Sequence, residues 1–207
     1  VCKIINNTYS ESMIRGDSQE YELLKRWCDT LSFKNKPNHV TTCEIGIREG
    51  LSSKIIMMSM KAKINGTPYH HIGIDPYNNL NYQHYDHTES ETCDYTNEMR
   101  DTMLKDFAEH KEEFLFYNIT DIEYMNKHCN LDVTYDLVHF DGPHMTKEVL
   151  REAIWFADRT RDGSRLIFDD HDLFDMRHVA MALTYFNFKV LEEGKHKICL
   201  IRDDNKS

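Results

Sequence analysis

From residue 39 to residue 170 the chain alternates short, β-branched apolar runs with stretches of helical period. This alternation restricts the fold more than any other feature. "HVTTCEIG" (39–46), "YHHIGID" (69–75), "EFLFYNI" (113–119), "YDLVHFD" (135–141) and "SRLIFDD" (164–170) read as strands. Between them "LSSKIIMMSMKAK" (51–63) reads as a helix, and another carries Met99, Met103 and Phe107 on one face. A short helix is expected near 121–129. An amphipathic one over about 146–160 would bury Val149, Leu150, Ala153, Ile154 and Ala157. Upstream, Asp17-Ser18-Gln19-Glu20 is a capping-box signal, with Tyr21, Leu24, Cys28 and Leu31 at helical spacing behind it. A first helix over about 18–33 follows, closed by Pro37. Beyond the fifth strand come a helix from about 173 to 184 and two strands near 186–192 and 196–202, joined by a turn around Gly194.

Strands separated by helices form βαβ units and a parallel sheet covered on both faces. The expected fold is α/β: a three-layer sandwich whose mostly parallel seven-stranded sheet ends in an antiparallel hairpin. One domain over 1–207 is expected, with residues 1–17 as an N-terminal extension. The segment 76–95, "PYNNLNYQHYDHTESETCDY", has no periodicity, and long loops in compact domains are usually functional. It is expected to be a lid over a substrate, with Tyr77, Tyr82 and Tyr85 available to stack on a ring or sugar. His84, Asp86, His87 and Cys93 offer a zinc set there, but with looser spacing than zinc sites use.

A formal net charge of −10 argues against nucleic acid as the main partner, because phosphate binding needs clustered Lys and Arg. No apolar run reaches the length of a membrane span. Six scattered cysteines without paired spacing read as reduced thiols and a cytoplasmic setting. Oligomeric state is open, a homo-oligomer included.

The chemistry concentrates at the strand ends, where open parallel sheets bind ligands. The first strand runs into Glu44-Ile45-Gly46-Ile47-Arg48-Glu49-Gly50. The second ends in Asp75, the third in Asn118, the fourth in Asp141, and the fifth in Asp169 and Asp170. Gly46 and Gly50 permit a sharp turn close to a ligand. The pattern is not the dinucleotide G-x-G-x-x-G. A carboxylate beside the loop would repel a pyrophosphate and suit an ammonium or sulfonium group. Asp75 lies 25 residues beyond Gly50, near the spacing at which an acid takes ribose hydroxyls. Nucleoside plus cation suggests S-adenosylmethionine.

In their order these motifs resemble those of class I S-adenosylmethionine-dependent methyltransferases, over roughly residues 18 to 202. "CEIGIREGLSS" resembles their first motif, "GIDPY" the acidic second-strand motif, and "YDLVHFDGPH" with "GSRLIFDDHD" the fourth- and fifth-strand motifs. The phrase D-G-x-H, a helix, then G-x-x-x-x-D-D is similar to a narrower group. That group holds macrolide-sugar O-methyltransferases, cephalosporin-hydroxylase-like proteins and, more distantly, catechol O-methyltransferase. The resemblance implies a Rossmann-like fold, with Glu44, Gly46 and Gly50 at the methionine end of the cofactor and Arg48 and Ser52 beside them. It implies Asp75 on the ribose, Pro76 and Tyr77 beside the adenine, and Asn118, Thr120 and Asp121 flanking the base. Asp141 counts among the cofactor contacts as well. Asp141, Asp169 and Asp170 would hold a divalent metal that binds substrate oxygens. The chain departs from the pattern at Arg48, where a small residue is usual, and at Pro143, where Asp is common.

Three carboxylates without a thiolate suit Mg²⁺, with Mn²⁺ or Ca²⁺ as alternatives. Methyl transfer to oxygen needs alignment and removal of a proton, which a metal and a base together provide. His144 is the first candidate base and His171 the second, with Asp141 also in the catalytic set. The plain alternatives are a ligand-free strand–turn–helix at Glu44, Gly46 and Gly50, helix capping at Asp169 and Asp170, and a structural His144. The expected activity is metal-assisted O-methylation of a small-molecule hydroxyl on a sugar, phenol or polyketide. Other possibilities are a non-catalytic S-adenosylmethionine-binding protein, a nicotinamide-dependent oxidoreductase, or a hydroxylase-like relative.

Overall fold

The computed structural model describes residues 16, 18–33, 37–92 and 94–205. Its strands are β1 (Val40–Ile45), β2 (Tyr69–Ile74), β3 (Asn81–Tyr82), β4 (Glu91–Thr92), β5 (Phe114–Tyr117), β6 (Tyr135–Phe140), β7 (Thr160–Phe168), β8 (Phe188–Glu193) and β9 (Ile198–Arg202). Its α-helices are α1 (Tyr21–Asp29), α2 (Leu51–Lys61), α3 (Asn97–Asp106), α4 (Asp121–Lys127), α5 (Thr146–Ala157) and α6 (Met176–Leu183).

Seven strands form one sheet in the order β5-β2-β1-β6-β7-β9-β8. The first five pair in parallel, and β9 joins β7 and β8 antiparallel, as the hairpin at Gly194 predicts. From β1 the chain steps outward to β2 and β5, then returns to the other side of β1 as β6. The strand order therefore reverses between β1 and β6, where such sheets open a crevice at their carboxyl ends.

β1 and β6 are buried along their whole length, as strands covered on both faces must be. One face packs Cys43, Ile45, Val138 and Phe140 against α4, α5 and α6. The other packs Val40, Leu137 and Ile167 against α1, α2 and α3. Met103 and Phe107 join that second layer, with Met99 at its edge, as their spacing requires. In α5 the buried face is Val149, Glu152, Ala153, Phe156 and Ala157, so Ile154, expected inside, is 39% exposed. Met57 and Met60 fill the core and Met58 faces out.

The capping-box expectation fails. α1 starts at Tyr21, Glu20 precedes it in a left-handed conformation, and no side chain caps the helix. Ser18 and Glu20 are used elsewhere. The Ser18 hydroxyl bonds Asp169, and the Glu20 carboxylate accepts the N–H groups of Lys195, His196 and Lys197. The expected 1–17 extension, Gly16 apart, lies outside the described residues, and with it Cys2 and Asp17; so does Cys93. β7 begins at Thr160, earlier than the apolar run, because Thr160 pairs with Tyr135 before the register shifts. The 76–95 segment is partly ordered by the β3–β4 ribbon. Among the described residues no helix is long and apolar enough to cross a membrane.

Candidate functional site

A cavity of about 580 Å³ opens at the carboxyl ends of the parallel strands, within the range of small-molecule sites. Its floor is the loop after β1, whose shape two glycines permit. Gly46 has φ +79°, and a Cβ there would lie 2.0 Å from the carbonyl oxygen of Asp141. Gly50 has φ +87°, and a Cβ there would meet the Phe107 ring at 2.7 Å. The first glycine thus lets the ends of β1 and β6 approach, and the second admits α3 beside α2.

Asp75 ties this loop to β2. Its Oδ2 accepts the N–H groups of Ile47 (2.9 Å) and Arg48 (3.0 Å), and its Oδ1 that of Tyr77 (3.0 Å). Burial pushes its carboxyl up even against those three N–H donors. A carboxylate offers about four acceptor positions, so one is left for a ligand. Gly46, Arg48, Ser52, Asp75 and Pro76 line this half of the cavity, and Thr120 and Asp121 close its side. Thr120 and Glu123 form a reciprocal capping box that sets the start of α4 there.

Four expected cofactor contacts sit elsewhere. Glu44 is fully buried beneath the loop, where its carboxylate accepts the Ser53 hydroxyl and lies 2.7 Å from His139 Nδ1. Tyr77 is buried with its hydroxyl on the Arg48 carbonyl. Asn118 donates to the Pro76 carbonyl and receives Arg100, so it braces the loop. Gly50 acts through backbone shape. None of the four lines the cavity.

The second half of the cavity is lined by Asp141, His144, Asp169 and Asp170. Asp141 and Asp169 extend β6 and β7, and their environments push their carboxyls apart. Burial and the neighbouring Asp169 hold Asp141 well above the usual carboxylate range. Asp169 is also desolvated, but Lys197 and Ser18 outweigh that and bring it down to about 2. The ammonium of Lys197, with no exposed surface, bonds Asp169 Oδ2. Asp169 Oδ1 accepts the Asp170 N–H at 2.9 Å.

Both oxygens of Asp169 are thus engaged, and a cation is already against it. Two groups of described residues bring ligand atoms within 4.8 Å of one another: Glu44–His139–Asp141 and Asp170–Asp172–His196. Neither contains Asp169. Among the described residues the Asp141, Asp169 and Asp170 carboxylates, expected to hold Mg²⁺, do not bring three ligand atoms within 4.8 Å of one another, and Lys197 already lies against Asp169.

His144 lies in the cavity with its Nε2 3.6 Å from Asp170 Oδ2. Burial, then the neighbouring His84, lowers its ring to about 3, so it is neutral and weakly basic. Its backbone N–H donates to the His84 carbonyl at 2.8 Å, and its ring lies against Tyr85 (5.8 Å) and Phe174 (6.2 Å). His171 is out of the site. Asp170 has φ +46°, which turns the chain and leaves the His171 ring 3.3 Å from the Gly194 carbonyl.

The 76–95 segment is fastened to α5: Asp86 accepts the N–H (3.1 Å) and hydroxyl (2.6 Å) of Thr146, at the start of that helix. Tyr82, His84 and Tyr85 of this segment line the cavity. Sequence reasoning missed Lys197 and His139, and it gave Ser18 and His84 other roles, a helix cap and a loose zinc set. For Lys197 the signal is the antiparallel register, which pairs Phe168 with Ile198 and so brings Asp169 opposite Lys197.

Residues 43–171 match the model of a family described as a methyltransferase domain. The calicheamicin methyltransferase CalS11 is similar in structure, with TM-score 0.54, 13% identity, and coverage of 87% of this chain and 76% of that one. The O-methyltransferase NovP gives TM-score 0.61 at 11% identity, covering 88% and 78%. A protein described as an rRNA methylase from Clostridium thermocellum gives 0.57 at 8% identity, covering 92% and 99%. At such identities these likenesses show the fold alone. No curated protein sequence matches the chain.

Proposed function

The chain belongs to the methyltransferase-domain family, and we propose that it moves the methyl group of S-adenosylmethionine to a hydroxyl of a small molecule. The carrying observation is one cavity with two chemically different halves. Around Gly46, Asp75 and Asp121 it has a glycine-shaped loop and a buried acid with one acceptor position left, which support a cofactor half. Around Asp141, His144 and Asp170 it has hydrogen-bonding groups for an acceptor.

The donor supplies an activated methyl on a sulfonium. The chain's residues do the rest. Among the described residues Arg48 is the one Lys or Arg on the wall, against Asp75, Asp121, Asp141, Glu148, Asp169 and Asp170. The cavity therefore suits a cationic ligand and opposes a phosphorylated one. The last acceptor position of Asp75 takes the ribose, and Thr120 and Asp121 flank the base. On the other side Asp141 accepts the hydroxyl proton. Two carboxyls forced apart in pKa are the usual mark of an acid–base assignment, and the raised member, once ionised, is the stronger base of the two. His144, neutral, orients the acceptor beside Asp170 and excludes water together with Tyr85 and Phe174. It serves as a positioning group, and the role of base passes to Asp141.

Cover by the lid and the net charge of −10 support a small acceptor over a nucleic acid. The test is incubation with heavy-methyl S-adenosylmethionine and a panel of polyols, phenols and amines, read by mass spectrometry. Label on oxygen of a small polyol or phenol is expected. Label on amines alone, or on RNA alone, contradicts the assignment.

A further inference from the structure

We propose that the ammonium of Lys197 is the resident cation of the acid cluster at the ends of β6 and β7, and that this chain takes no divalent metal there. The proposal deepens the methyl-transfer reading, on which it rests for the role of the cavity, by naming what neutralises its acceptor side.

The lysine is built into the fold. Antiparallel pairing of β7 with β9 delivers it beside Asp169. The Glu20 carboxylate clamps its backbone by accepting the N–H groups of Lys195 (3.0 Å), His196 (2.8 Å) and Lys197 (2.9 Å). Its Nζ donates to Ser18 Oγ and to Asp169 Oδ2, and Ser18 donates to the same carboxylate oxygen. The Tyr21 ring lies 5.9 Å from the ammonium, near enough for a cation–π contribution. An ammonium with no exposed surface, held by α1, the segment before it and the carboxyl end of β7, is not a stray surface pair.

A divalent ion on Asp169 would have to displace this lysine and leave it charged, buried and unpaired, which is strongly unfavourable. The other groups do not offer a substitute site at the cavity centre. Glu44 and His139 are closed on each other at 2.7 Å, and His196 is paired with Asp172 at 3.4 Å. The consequence for the substrate is specific. An acceptor oxygen is not chelated, so adjacent hydroxyls are unnecessary, and the acceptor is held by donating hydrogen bonds to Asp141 and Asp170. Lys197 is a positioning residue: it fixes Asp169 as an anion and touches no reacting atom.

The test uses Mn²⁺ as the probe, titrated into the full chain and followed by electron paramagnetic resonance, with and without S-adenosylmethionine. The unsubstituted chain is expected to show no saturable site up to roughly 1 mM, above the range of most dedicated oxygen-ligand sites. Lys197→Met, checked for folding by circular dichroism, is expected to gain one saturable Mn²⁺ site, because Asp169 then lacks its counter-charge beside Asp141. Saturable uptake of one Mn²⁺ by the unsubstituted chain, abolished by Asp169→Asn, overturns the proposal. So does a folded Lys197→Met that gains no site. If Lys197→Met does not fold, the titration of the unsubstituted chain decides alone. Binding of S-adenosylmethionine is read in the same samples. Its absence contradicts the methyltransferase reading and leaves the Mn²⁺ result intact.

Discussion

The Nδ1 of His139 lies 2.7 Å from Oε1 of Glu44, and neither side chain has exposed surface. Glu44 reaches on to Ser53, whose hydroxyl lies 3.0 Å from His71 Nε2, and His71 Nδ1 lies 2.8 Å from Thr42. A hydrogen-bonded chain thus crosses β6, β1 and β2 under the cavity floor. The glutamate of the first-strand motif is a member of this hydrogen-bonded chain.

Glu44→Gln is therefore expected to lower stability by about 1–3 kcal/mol while leaving affinity for S-adenosylmethionine near that of the unsubstituted chain. Burial raises the Glu44 carboxyl, but the His139 hydrogen bond and charge bring it below its ordinary value. Its stabilisation is thus present above the unfolded pKa and lost as pH falls through the lowered one. Urea unfolding with calorimetry checks both parts. A stable variant with sharply weaker cofactor binding would return Glu44 to the ligand.

Lys197→Met should cost roughly 3–5 kcal/mol, because it strands a buried carboxylate. The measurement is chemical denaturation at neutral pH. A loss below about 1 kcal/mol, the level of surface pairs, would contradict the buried ion pair.

His144, lowered to about 3, stays neutral in the folded protein while the unfolded chain protonates near pH ~6.5. The unfolded state then binds the extra proton, so stability falls as pH drops through that window, by up to about 1.4 kcal/mol per unit. His71, lowered to about 4, acts with the same sign, so comparison with His144→Asn isolates the His144 share. The variant should lose less stability than the unsubstituted chain between pH 7 and pH 5. Equal losses would show that His144 is not desolvated.

Asp86→Ala should release the lid from Thr146. A lost helix-start partner costs roughly 0.5–2 kcal/mol. Faster hydrogen exchange and proteolysis across 81–92 are expected, with little change elsewhere. Unchanged exchange would mean that the ribbon, and not the clasp, orders this loop.

Much of this architecture is legible because the parallel strands are buried on both faces and read as largely apolar runs, as at Leu166–Phe168. Which strand ends carry chemistry follows from the same alternation, since every β-to-α turn lies on one side of the sheet. Which way each end residue faces does not follow. Glu44 shares its side of β1 with Val40 and Thr42 and is covered by Ser53, while Asp170 turns the chain and removes His171. The start of α1 escapes a local reading because Ser18 and Glu20 satisfy groups far along the sequence. Lys197 escapes it for the same reason: its partner is fixed by a register that no local pattern encodes.

The most direct test of the account is a calorimetric titration of S-adenosylmethionine into the folded chain, with excess chelator present and again with Mg²⁺. Saturable one-to-one binding with the same affinity in both buffers is the predicted result, weakened when Asp75→Ala loosens the loop and removes the acid proposed to take the ribose. Absence of binding by the folded protein in either buffer would contradict it.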